Sequence, residues 1–371
     1  MKAGLEDVVV GGSEICLVDG QQGRLIYRGY DIIDLVATTS FEETAYLLWN
    51  DKLPNKSELE NLRRDLAANR ELPAQVVRLL RDLPSRATPM SLLRTIVSAL
   101  SLFDPDGRDN SSDANLRKSI RLTARIPTII AAIERLRIGE NPLPNDPSLS
   151  HAANFLYTMT GRVPNDLEAK AMDAALILQA DHELNASTFA ARVTISTLSD
   201  MYAAVTTGIG TLAGPLHGGA NEAVMNMLID IGSPAHIADY IHGLFAQKKK
   251  IMGFGHRVYK TDDPRAGVLR RMSQELGEAH GNTKWFEMSQ QIEKIVLEEK
   301  KLHCNVDFYS ASCLYSIGVP TDMFTPVFAA SRVTGWTAHA MEQLSDNRII
   351  RPRAEYEGKL DLKVKPIEER D

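Results

Sequence analysis

The stretch that says most about the fold is Leu116–Leu136, which reads LRKSIRLTARIPTIIAAIERL. Its apolar residues recur at the three- and four-residue spacing of a helix with one buried face. Pro127 lies inside this run, and because proline has no amide hydrogen we expect it to kink or divide the helix. The stretch therefore predicts helical structure that is interrupted near its middle.

The residues on either side of this stretch also follow helical spacing. Ser40 and Glu43 form the pattern of a capping box, and we expect Ser57 and Glu60 to repeat it at the next helix. Segments dense in Pro, Asn, Asp and Ser predict loops at 104–115 and 139–148. Apolar spacing predicts further helices at 92–100, 150–160, 165–183, 187–197, 200–212 and 221–231.

One β signal lies near the start of the chain. Ile15–Val18 and Arg24–Tyr27 flank the turn sequence Asp19–Gly23, which is typical of two short strands joined by a tight turn. The sequence therefore predicts an all-α fold with a short N-terminal β-hairpin.

Composition and charge exclude several classes of function. Of 371 residues, 44% are apolar and 24% charged, and the net charge of −6 disfavours a general nucleic-acid or membrane surface. The cysteines at 16, 304 and 313 have neither disulfide nor metal-ligand spacing. The first twelve residues lack a targeting pattern, and no apolar run approaches the ~20 residues of a membrane span. We expect a cytoplasmic protein.

Three separated motifs each place one titratable side chain among small or backbone-exposing residues. Two histidines and a carboxylate suffice to take a proton from carbon and to stabilise the enolate that results. The motifs are GPLHGGAN at 214–221 with His217, GFGHRVY at 253–259 with His256, and NVDFYS at 305–310 with Asp307.

His217 just precedes the helix expected at 221–231. The positive end of the helix dipole opposes protonation there, which favours a neutral imidazole that donates a hydrogen bond to a forming enolate. Gly218 and Gly219 would let a substrate approach the backbone. The alternative is that the glycine pair marks a tight turn and that His217 fills it.

The other two motifs also have competing interpretations. His256 follows Gly-x-Gly and the lysines at 248–250, which could bind phosphate or simply form a solvated surface; the third glycine of a dinucleotide fingerprint is missing. Asp307 lies between Val306 and Phe308, where loss of hydration would strengthen a carboxylate as a base. A capping aspartate is the alternative.

Further polar residues suggest a site for a small diacid. His182 lies in DHELNAST at 181–188, in which the zinc motif HExxH fails at Ala186. The segment is expected to be a polar helix end whose His, Asn and Ser line a site, or else a set of packing residues with satisfied hydrogen bonds. Arg265, Arg332 and Arg351 lie in apolar or proline-fixed segments, and forked guanidinium groups suit two carboxylates. Each of the three could also be an ordinary surface arginine.

Taken together, these segments resemble the citrate synthase family, and the resemblance extends from about Gly4 to Tyr356 and includes GRLIYRG at 23–29. It implies an almost wholly helical fold with a large and a small domain, an active cleft between them and an obligate homodimer, with higher assembly possible. On this basis we expect a large domain at 1–218, a small domain at 219–320 and a return to the large domain with a C-terminal arm at 321–371.

The resemblance also implies a role for each residue. Asp307 would take a methyl proton from acetyl-CoA while neutral His217 donates to the thioester oxygen, and His256 would polarise the keto group of oxaloacetate; citryl-CoA is then hydrolysed to citrate and CoA. Neither a metal nor a permanently bound cofactor is implied. The remaining residues fall into four groups: the oxaloacetate ligands His182, Arg265 and Arg332; Arg351, reaching in from the partner subunit; Ser187 and its neighbour Asn185, which orient His217; and the CoA loop of Lys250, Ile251, Met252, Gly253, Phe254 and Gly255.

Three alternatives remain open at this point. 2-Methylcitrate synthase would use the same residues on propionyl-CoA, and one methylene in an apolar pocket is worth only ~1–3 kcal/mol of discrimination. A metal-dependent hydrolase would need His182, His217, His256 and Asp307 to converge on an ion. A helical interaction protein without catalysis would not require these acids, bases and arginines.

Overall fold

The computed structural model describes residues 3–5, 8–84 and 86–370. Part of the first twelve residues, where no targeting pattern is expected, therefore lies outside the described residues. The described residues form three strands and sixteen α-helices. The strands are β1 (Cys16–Asp19), β2 (Arg24–Tyr27) and β3 (Tyr30–Asp31). The helices are α1 (Ile32–Thr38), α2 (Phe41–Asn50), α3 (Lys56–Ala68), α4 (Ala74–Asp82), α5 (Pro89–Leu100), α6 (Ser112–Arg137), α7 (His151–Thr160), α8 (Asp166–Gln179), α9 (Ala186–Ser196), α10 (Met201–Leu212), α11 (Ala220–Ile231), α12 (Ile237–Ala246), α13 (Pro264–Ala279), α14 (Lys284–Lys300), α15 (Val306–Ser316) and α16 (Phe324–Ser345).

The predicted hairpin is present, with one strand more than expected. β1 and β2 are antiparallel, with Cys16 opposite Tyr27 and Asp19 opposite Arg24. β3 pairs with the other side of β2, and its two residues are too few to leave an alternating pattern in the sequence. The Asp19 carboxylate closes the turn by accepting hydrogen bonds from the backbone amides of Gln21 and Gln22.

The helix predicted from Leu116–Leu136 continues through Pro127. The proline therefore does not divide the helix, and that part of the prediction was wrong. Proline costs a helix one backbone hydrogen bond, but its fixed φ is already helical. α6 is buried for much of its length against α5, α7 and α16, and this packing offsets the lost bond. α6 also begins at Ser112, capped by Ser111, so the expected loop at 104–115 is shorter than predicted.

Helix starts were predicted with mixed success. The Ser40–Glu43 capping box is confirmed, because both of its reciprocal hydrogen bonds are present. The expected Ser57–Glu60 box was wrong: the box is formed two residues earlier, by Asn55 and Glu58. Asparagine caps a helix about as well as serine, and Lys56 therefore already belongs to the first turn.

α16 is the central element of the fold. Nearly all of its residues from Phe324 to Ala340 are buried, and it packs against α6, α8, α9 and α10. In a second group of helices, α11, α13 and α14 pack against α15, and α12 packs against α14; α13 and α15 both touch α8. No described helix combines the length and apolar character needed to span a bilayer.

α8 ends at Gln179, four residues before the end of the predicted helix. Residues 180–185 instead form an irregular turn, in which Glu183 has a φ of 54°. His182 therefore lies in a turn between α8 and α9, and the expectation that it lies at a helix end was wrong. Across a cleft, the ring of His182 meets those of His256 and Tyr259, which lie in the segment before α13.

Candidate active site

The cleft collects polar side chains from six parts of the chain. They come from the turn after α8, the start of α9, the loop before α11, the segment that leads into α13, and the helices α15 and α16. The residues are His182, Ser187, His217, His256, Arg265, Asp307 and Arg332. All of them were predicted from the sequence.

His217 is held by the first turn of α9. Its Nε2 lies 2.8 Å from the Ser187 hydroxyl oxygen and accepts the Ser187 backbone N–H at 3.3 Å. Because a backbone N–H can only donate, Nε2 is an acceptor and we assign the imidazole proton to Nδ1. Asn185 caps α9 and its Oδ1 lies 2.8 Å from the Ser187 oxygen, which also accepts the Trp336 indole N–H. Ser187 is thus in direct contact with His217, and Asn185 contacts Ser187.

The imidazole of His217 is kept neutral. Burial, followed by the positive charge of Arg332, lowers its pKa to about 4. The sequence predicted a neutral His217, but attributed it to the dipole of α11. The structure gives a different cause, since a histidine that loses its hydration near a guanidinium is disfavoured in the charged form.

Gly218 serves the loop rather than a ligand. A Cβ at this position would lie 2.4 Å from the Leu212 carbonyl oxygen and 2.9 Å from the Thr325 methyl carbon. Its own carbonyl accepts a hydrogen bond from the Thr325 hydroxyl at 3.0 Å. The expectation that Gly218 leaves room for substrate was wrong, whereas Gly219 has no neighbour within 4 Å of a Cβ and does leave space.

His256 has a defined tautomer. Its Nδ1 accepts two backbone N–H groups, from Val258 at 3.0 Å and from Tyr259 at 3.1 Å. The proton is therefore on Nε2, which is the nitrogen left to donate to a ligand. Burial, followed by the charge of Arg265, lowers the pKa of His256 to about 4, so this imidazole is also neutral near pH 7.

His182 and the two buried arginines lie around His256. The ring centroids of His182 and His256 are 5.2 Å apart. Burial and the charge of Arg265 hold the pKa of His182 well below its usual range, and its buried Nε2 has no partner among the described residues. Arg265 and Arg332 are only 3% and 1% exposed, so water screens their charges little.

Asp307 lies in the first turn of α15, which Asn305 caps by accepting the Asp307 backbone N–H. The alternative that Asp307 is itself a capping residue is therefore excluded. Burial raises the pKa of its carboxyl to about 6, although Arg265 and Arg332 both act to lower it. A carboxylate with this pKa is ionised at pH 7 and is a stronger base than an exposed aspartate.

Asp263 is a residue of the site that sequence reasoning missed. It is 2% exposed, caps α13, and its carboxylate accepts the Arg265 Nε at 2.9 Å and Nη2 at 2.8 Å. It also accepts the backbone N–H of Val306 at 3.0 Å. One carboxylate thus joins the helix that carries Arg265 to the helix that carries Asp307. An aspartate directly before a proline is a helix-start signal and could have identified it.

The loop 250–255 is fixed to the start of α15. The Asn305 backbone N–H donates to the Gly253 carbonyl, the Asn305 side chain to the Gly255 carbonyl, and Phe254 lies against Phe308 with ring centroids 4.6 Å apart. Gly253 and Gly255 have φ of 80° and 76°. Within this loop Ile251 is buried, Met252 is half-buried and Lys250 is exposed.

One predicted residue is not brought into the cleft. Arg351 is exposed in the segment after α16. Among the described residues, none of the site residues forms a hydrogen bond or an ion pair with it. The structure of a single chain therefore does not bring Arg351 to the other site residues.

A cavity of about 760 Å³ is lined by residues on both sides of His217 in the sequence, although His217 itself does not line it. It is bounded by Pro215 and Gly219 on one side and by Met252 of the loop 250–255 on another. Its volume suits a ligand larger than a small diacid. Among residues 3–5, 8–84 and 86–370, no three His, Cys, Asp or Glu side chains are arranged to hold a metal ion.

The arrangement as a whole suits carbon acid chemistry. A carboxylate of raised pKa, two neutral imidazoles with assigned donor nitrogens and two buried guanidinium groups are all present. Arg332 affects the pKa values of Asp307, His217 and His182, and Arg265 those of Asp307, His256 and His182, so the groups share one electrostatic environment. Such a set can take a proton from carbon, stabilise an enol and hold a dianion.

Comparisons with known proteins agree with this chemistry. The family described as "Citrate synthase, C-terminal domain" matches residues 4–353. The chain is 49% identical to the citrate synthase of Haloferax volcanii, over 100% of this chain and 99% of that protein. It is 50% identical to citrate synthase 2 of Bacillus subtilis, over 99% of this chain and 98% of that protein.

A solved structure and a second type of enzyme are also similar. The ternary complex of Thermoplasma acidophilum citrate synthase with carboxymethyl coenzyme A and oxaloacetate superposes with a TM-score of 0.93 and 35% identity, over 100% of this chain and 99% of that one. The 2-methylcitrate synthase of Shewanella oneidensis is 42% identical over 99% of this chain and 98% of that protein, below the two citrate synthases above.

Proposed function

Because this chain belongs to the citrate synthase family, we propose that the cleft around Asp307, His217 and His256 is where it condenses its two substrates. The enzyme is an acyltransferase of the citrate (Si)-synthase type, which joins acetyl-CoA, oxaloacetate and water to give citrate and CoA. The observation that carries the assignment of the site is one shared environment for a basic carboxylate and two neutral imidazoles.

In the first step, Asp307 takes a proton from the methyl carbon of the thioester. Its pKa of about 6 keeps the carboxylate ionised at pH 7. The charge that develops on the thioester oxygen is stabilised by a hydrogen bond from Nδ1–H of His217, whose other nitrogen is held by Ser187. A neutral donor suits this role because its proton is not lost to bulk solvent at working pH.

In the second step, the enol carbon attacks the keto carbon of oxaloacetate. His256 donates from Nε2–H to the keto oxygen as the carbon–carbon bond forms, since its Nδ1 is occupied by two amides. His182, Arg265 and Arg332 hold the two carboxylates, and their burial strengthens these contacts. Water then hydrolyses citryl-CoA and releases CoA.

We assign the CoA moiety to the loop from Lys250 to Gly255 and the adjoining cavity. Met252 lines the cavity, and hydrogen bonds from Asn305 to the carbonyls of Gly253 and Gly255 fix the position of the loop before CoA binds. The similar Thermoplasma acidophilum structure carries carboxymethyl coenzyme A, which supports a site for CoA in this fold. CoA enters as a co-substrate, and we propose that no cofactor is held permanently.

The domain arrangement that we propose follows the expected boundaries of 1–218, 219–320 and 321–371. The second range contains α11 to α15, which pack around α15 and α14, and the third contains α16, in the centre of the first group. Asp307 and His256 then belong to the small domain and His217 and Arg332 to the large one. Closure of the cleft would bring the two sets together around the substrates.

We further propose that the enzyme works as a homodimer in the cytoplasm. The segment after α16 is exposed throughout from Arg351 and carries the exposed apolar residues Tyr356, Leu360, Leu362 and Val364. An arm of this composition is expected to cover another protein surface, and a second copy of the chain would bring Arg351 to the partner's cleft. The three cysteines are unpaired and buried, which suits a reducing compartment.

Comparison of two thioesters tests the substrate. With oxaloacetate present, we expect kcat/KM to be higher for acetyl-CoA than for propionyl-CoA, by about 10- to 200-fold, because one methylene in an apolar pocket is worth ~1–3 kcal/mol. Release of CoA, followed with a thiol reagent, measures both rates. A preference for propionyl-CoA would assign the chain to 2-methylcitrate synthesis instead, and rates abolished by a chelator would favour the metal-dependent hydrolase.

Mixing two inactive variants tests the shared site. Arg351→Ala is expected to weaken oxaloacetate binding and Asp307→Asn to abolish turnover, each in its own homodimer. In an equal mixture of refolded chains, about half of the dimers are mixed and each holds one intact site, so about a quarter of wild-type activity should return. Mixed dimers that are verified by mass and remain inactive would show that Arg351 does not act across the interface.

A further inference from the structure

The tip of the N-terminal hairpin, residues Asp19–Gly23, touches the loop that carries His256. The Lys260 backbone N–H donates to the Gly20 carbonyl at 2.9 Å. A Cβ at Gly20 would lie 2.2 Å from the Val258 carbonyl oxygen and 2.7 Å from its carbon. The two backbones therefore approach more closely than any other residue type would allow.

Gly23 makes a second close approach at the other end of the tip. It has a φ of 65°, and its Cβ would lie 2.8 Å from the Thr261 hydroxyl oxygen and 2.9 Å from the Asp262 carbonyl oxygen. The loop His256–Asp262, called the histidine loop below, is thus in contact with the hairpin tip at two points. A side chain at either glycine would have to displace backbone of the histidine loop.

The same part of the histidine loop determines the orientation of His256. The amides of Val258 and Tyr259 donate to Nδ1 of His256 and so leave Nε2–H to point elsewhere. Val258 therefore has its amide on the imidazole and its carbonyl against Gly20. Val258 therefore connects the hairpin tip directly to the imidazole.

The Tyr259 side chain provides a third link to the hairpin. It is only 4% exposed. Burial is the main cause that raises the pKa of its hydroxyl, and Cys16 and Asp31 make smaller contributions in the same direction. Cys16 belongs to β1 and Asp31 to β3, so Tyr259 lies close to the hairpin sheet. The histidine loop thus contacts the hairpin through its backbone and places Tyr259 near the hairpin sheet.

We propose that the hairpin tip is a positioning element for His256: it holds the histidine loop so that Nε2–H is aimed at the substrate. This inference rests on the role proposed above for His256. Gly20 and Gly23 are positioning residues, because they act through Val258, Lys260 and Thr261 and do not touch the reacting atoms. A misplacement of about 1 Å at a reacting group can cost about 10²-fold in rate.

Gly23→Ala and Gly29→Ala form a matched pair that tests the proposal. Both glycines have positive φ, at 65° and 86°, so both substitutions strain the backbone, but Gly29 has no neighbour within 4 Å of a Cβ. We expect Gly23→Ala to lower kcat by tenfold or more, about 10²-fold for a 1 Å shift, while Gly29→Ala stays within about twofold of wild type. The loss in Tm should be larger for Gly23→Ala, because its Cβ also displaces Thr261 and Asp262, so kcat is compared well below both melting temperatures.

Gly20→Ala provides a second test, since its φ is not positive and only the contact with Val258 is changed. Asp19→Ala adds no bulk and loosens the turn, because it removes the acceptor of the Gln21 and Gln22 amides. This variant replaces the two glycine substitutions as the test if both of them prevent folding. In each folded variant, the imidazole ¹⁵N signals of His256, assigned by their loss in His256→Ala, should shift away from the Nε2–H tautomer.

The outcomes separate this inference from the proposed function. Hairpin variants that keep wild-type kcat and unchanged His256 signals would overturn the positioning role, whatever His256 does. A His256→Ala variant with near-normal kcat would instead overturn the role of His256 in the reaction. Loss of kcat in Gly29→Ala equal to that in Gly23→Ala would show that backbone strain is the cause and would also overturn the inference.

Discussion

Asp307→Asn is expected to lower kcat by about 10²–10⁴-fold while leaving the Kd of oxaloacetate nearly unchanged. The substitution keeps the size of the side chain and the first turn of α15, but an amide cannot take the methyl proton. Because proton removal is needed only on the way to the transition state, the loss should fall on kcat and not on diacid binding. Steady-state kinetics and calorimetric titration with oxaloacetate measure the two quantities.

Asp166→Asn is a suitable control for this substitution. Asp166 also lies in the first turn of a helix, α8, but it is exposed and remote from the cleft, so its removal changes the same charge without changing kcat. The wild-type rate should fall as pH drops through about 6, where Asp307 becomes protonated. If Asp307→Asn retained near-normal kcat, or the acidic limb of its residual rate were unchanged, Asp307 would not be the base.

The raised pKa of Asp307 makes stability depend on pH in the opposite direction to the rate. The folded state holds this proton up to about pH 6, whereas the usual pKa is 3.8, so folding binds a proton between these values and the protein loses stability as pH rises through that window. The asparagine variant avoids this loss. Its Tm is therefore expected to exceed that of the wild type at pH 7.5, with the difference disappearing below pH 4.

Asp263→Ala is expected to destabilise the protein by about 3–5 kcal/mol and to weaken oxaloacetate binding. Removing this carboxylate leaves the buried guanidinium of Arg265 without its partner, which is the costly way to break a buried ion pair. It also removes the cap of α13 and the acceptor for the Val306 amide at the start of α15. Urea unfolding and titration with oxaloacetate check the two effects.

Two further variants distinguish the causes. Asp263→Asn keeps a good helix cap but loses the charge, so it should lie between the wild type and Asp263→Ala in stability. Asp263→Ala combined with Arg265→Leu removes both charges; it should regain much of the stability but none of the oxaloacetate binding. A single Asp263→Ala variant within about 1 kcal/mol of wild type would mean that solvent reaches Arg265 and that the pair is not truly buried.

The sequence was informative where chemistry depends on neighbouring residues. Val306 and Phe308 beside Asp307 indicated a carboxyl of raised pKa, and the structure agrees. The helical fold and the hairpin follow from local spacing and were predicted. Asp263 was missed because its function depends on a contact with Val306, more than forty residues away, which no local pattern contains. The aspartate before Pro264 is a local signal for a helix cap, but it does not indicate that the same carboxylate binds Arg265 and Val306.

The errors in the prediction have physical causes of the same kind. Pro127 does not divide α6, because tertiary packing outweighs the lost hydrogen bond. The neutral state of His217 was expected from a helix dipole, but burial and Arg332 produce it, and Arg332 lies far along the chain. The place of Arg351 is not defined by one chain, because the surface that its arm would cover belongs to another molecule in the proposed dimer.

The contact between Gly20 and Val258 also affects how the enzyme is made. Gly20 leaves the ribosome early and Val258 only after most of the chain has been translated, so the hairpin must wait for its partner loop. Contacts between residues so distant in sequence form late, since their loop-closure entropy must first be overcome. A nascent chain can therefore build much of its helical framework while its second imidazole is still unplaced, and competence for catalysis should appear as one of the last events of folding.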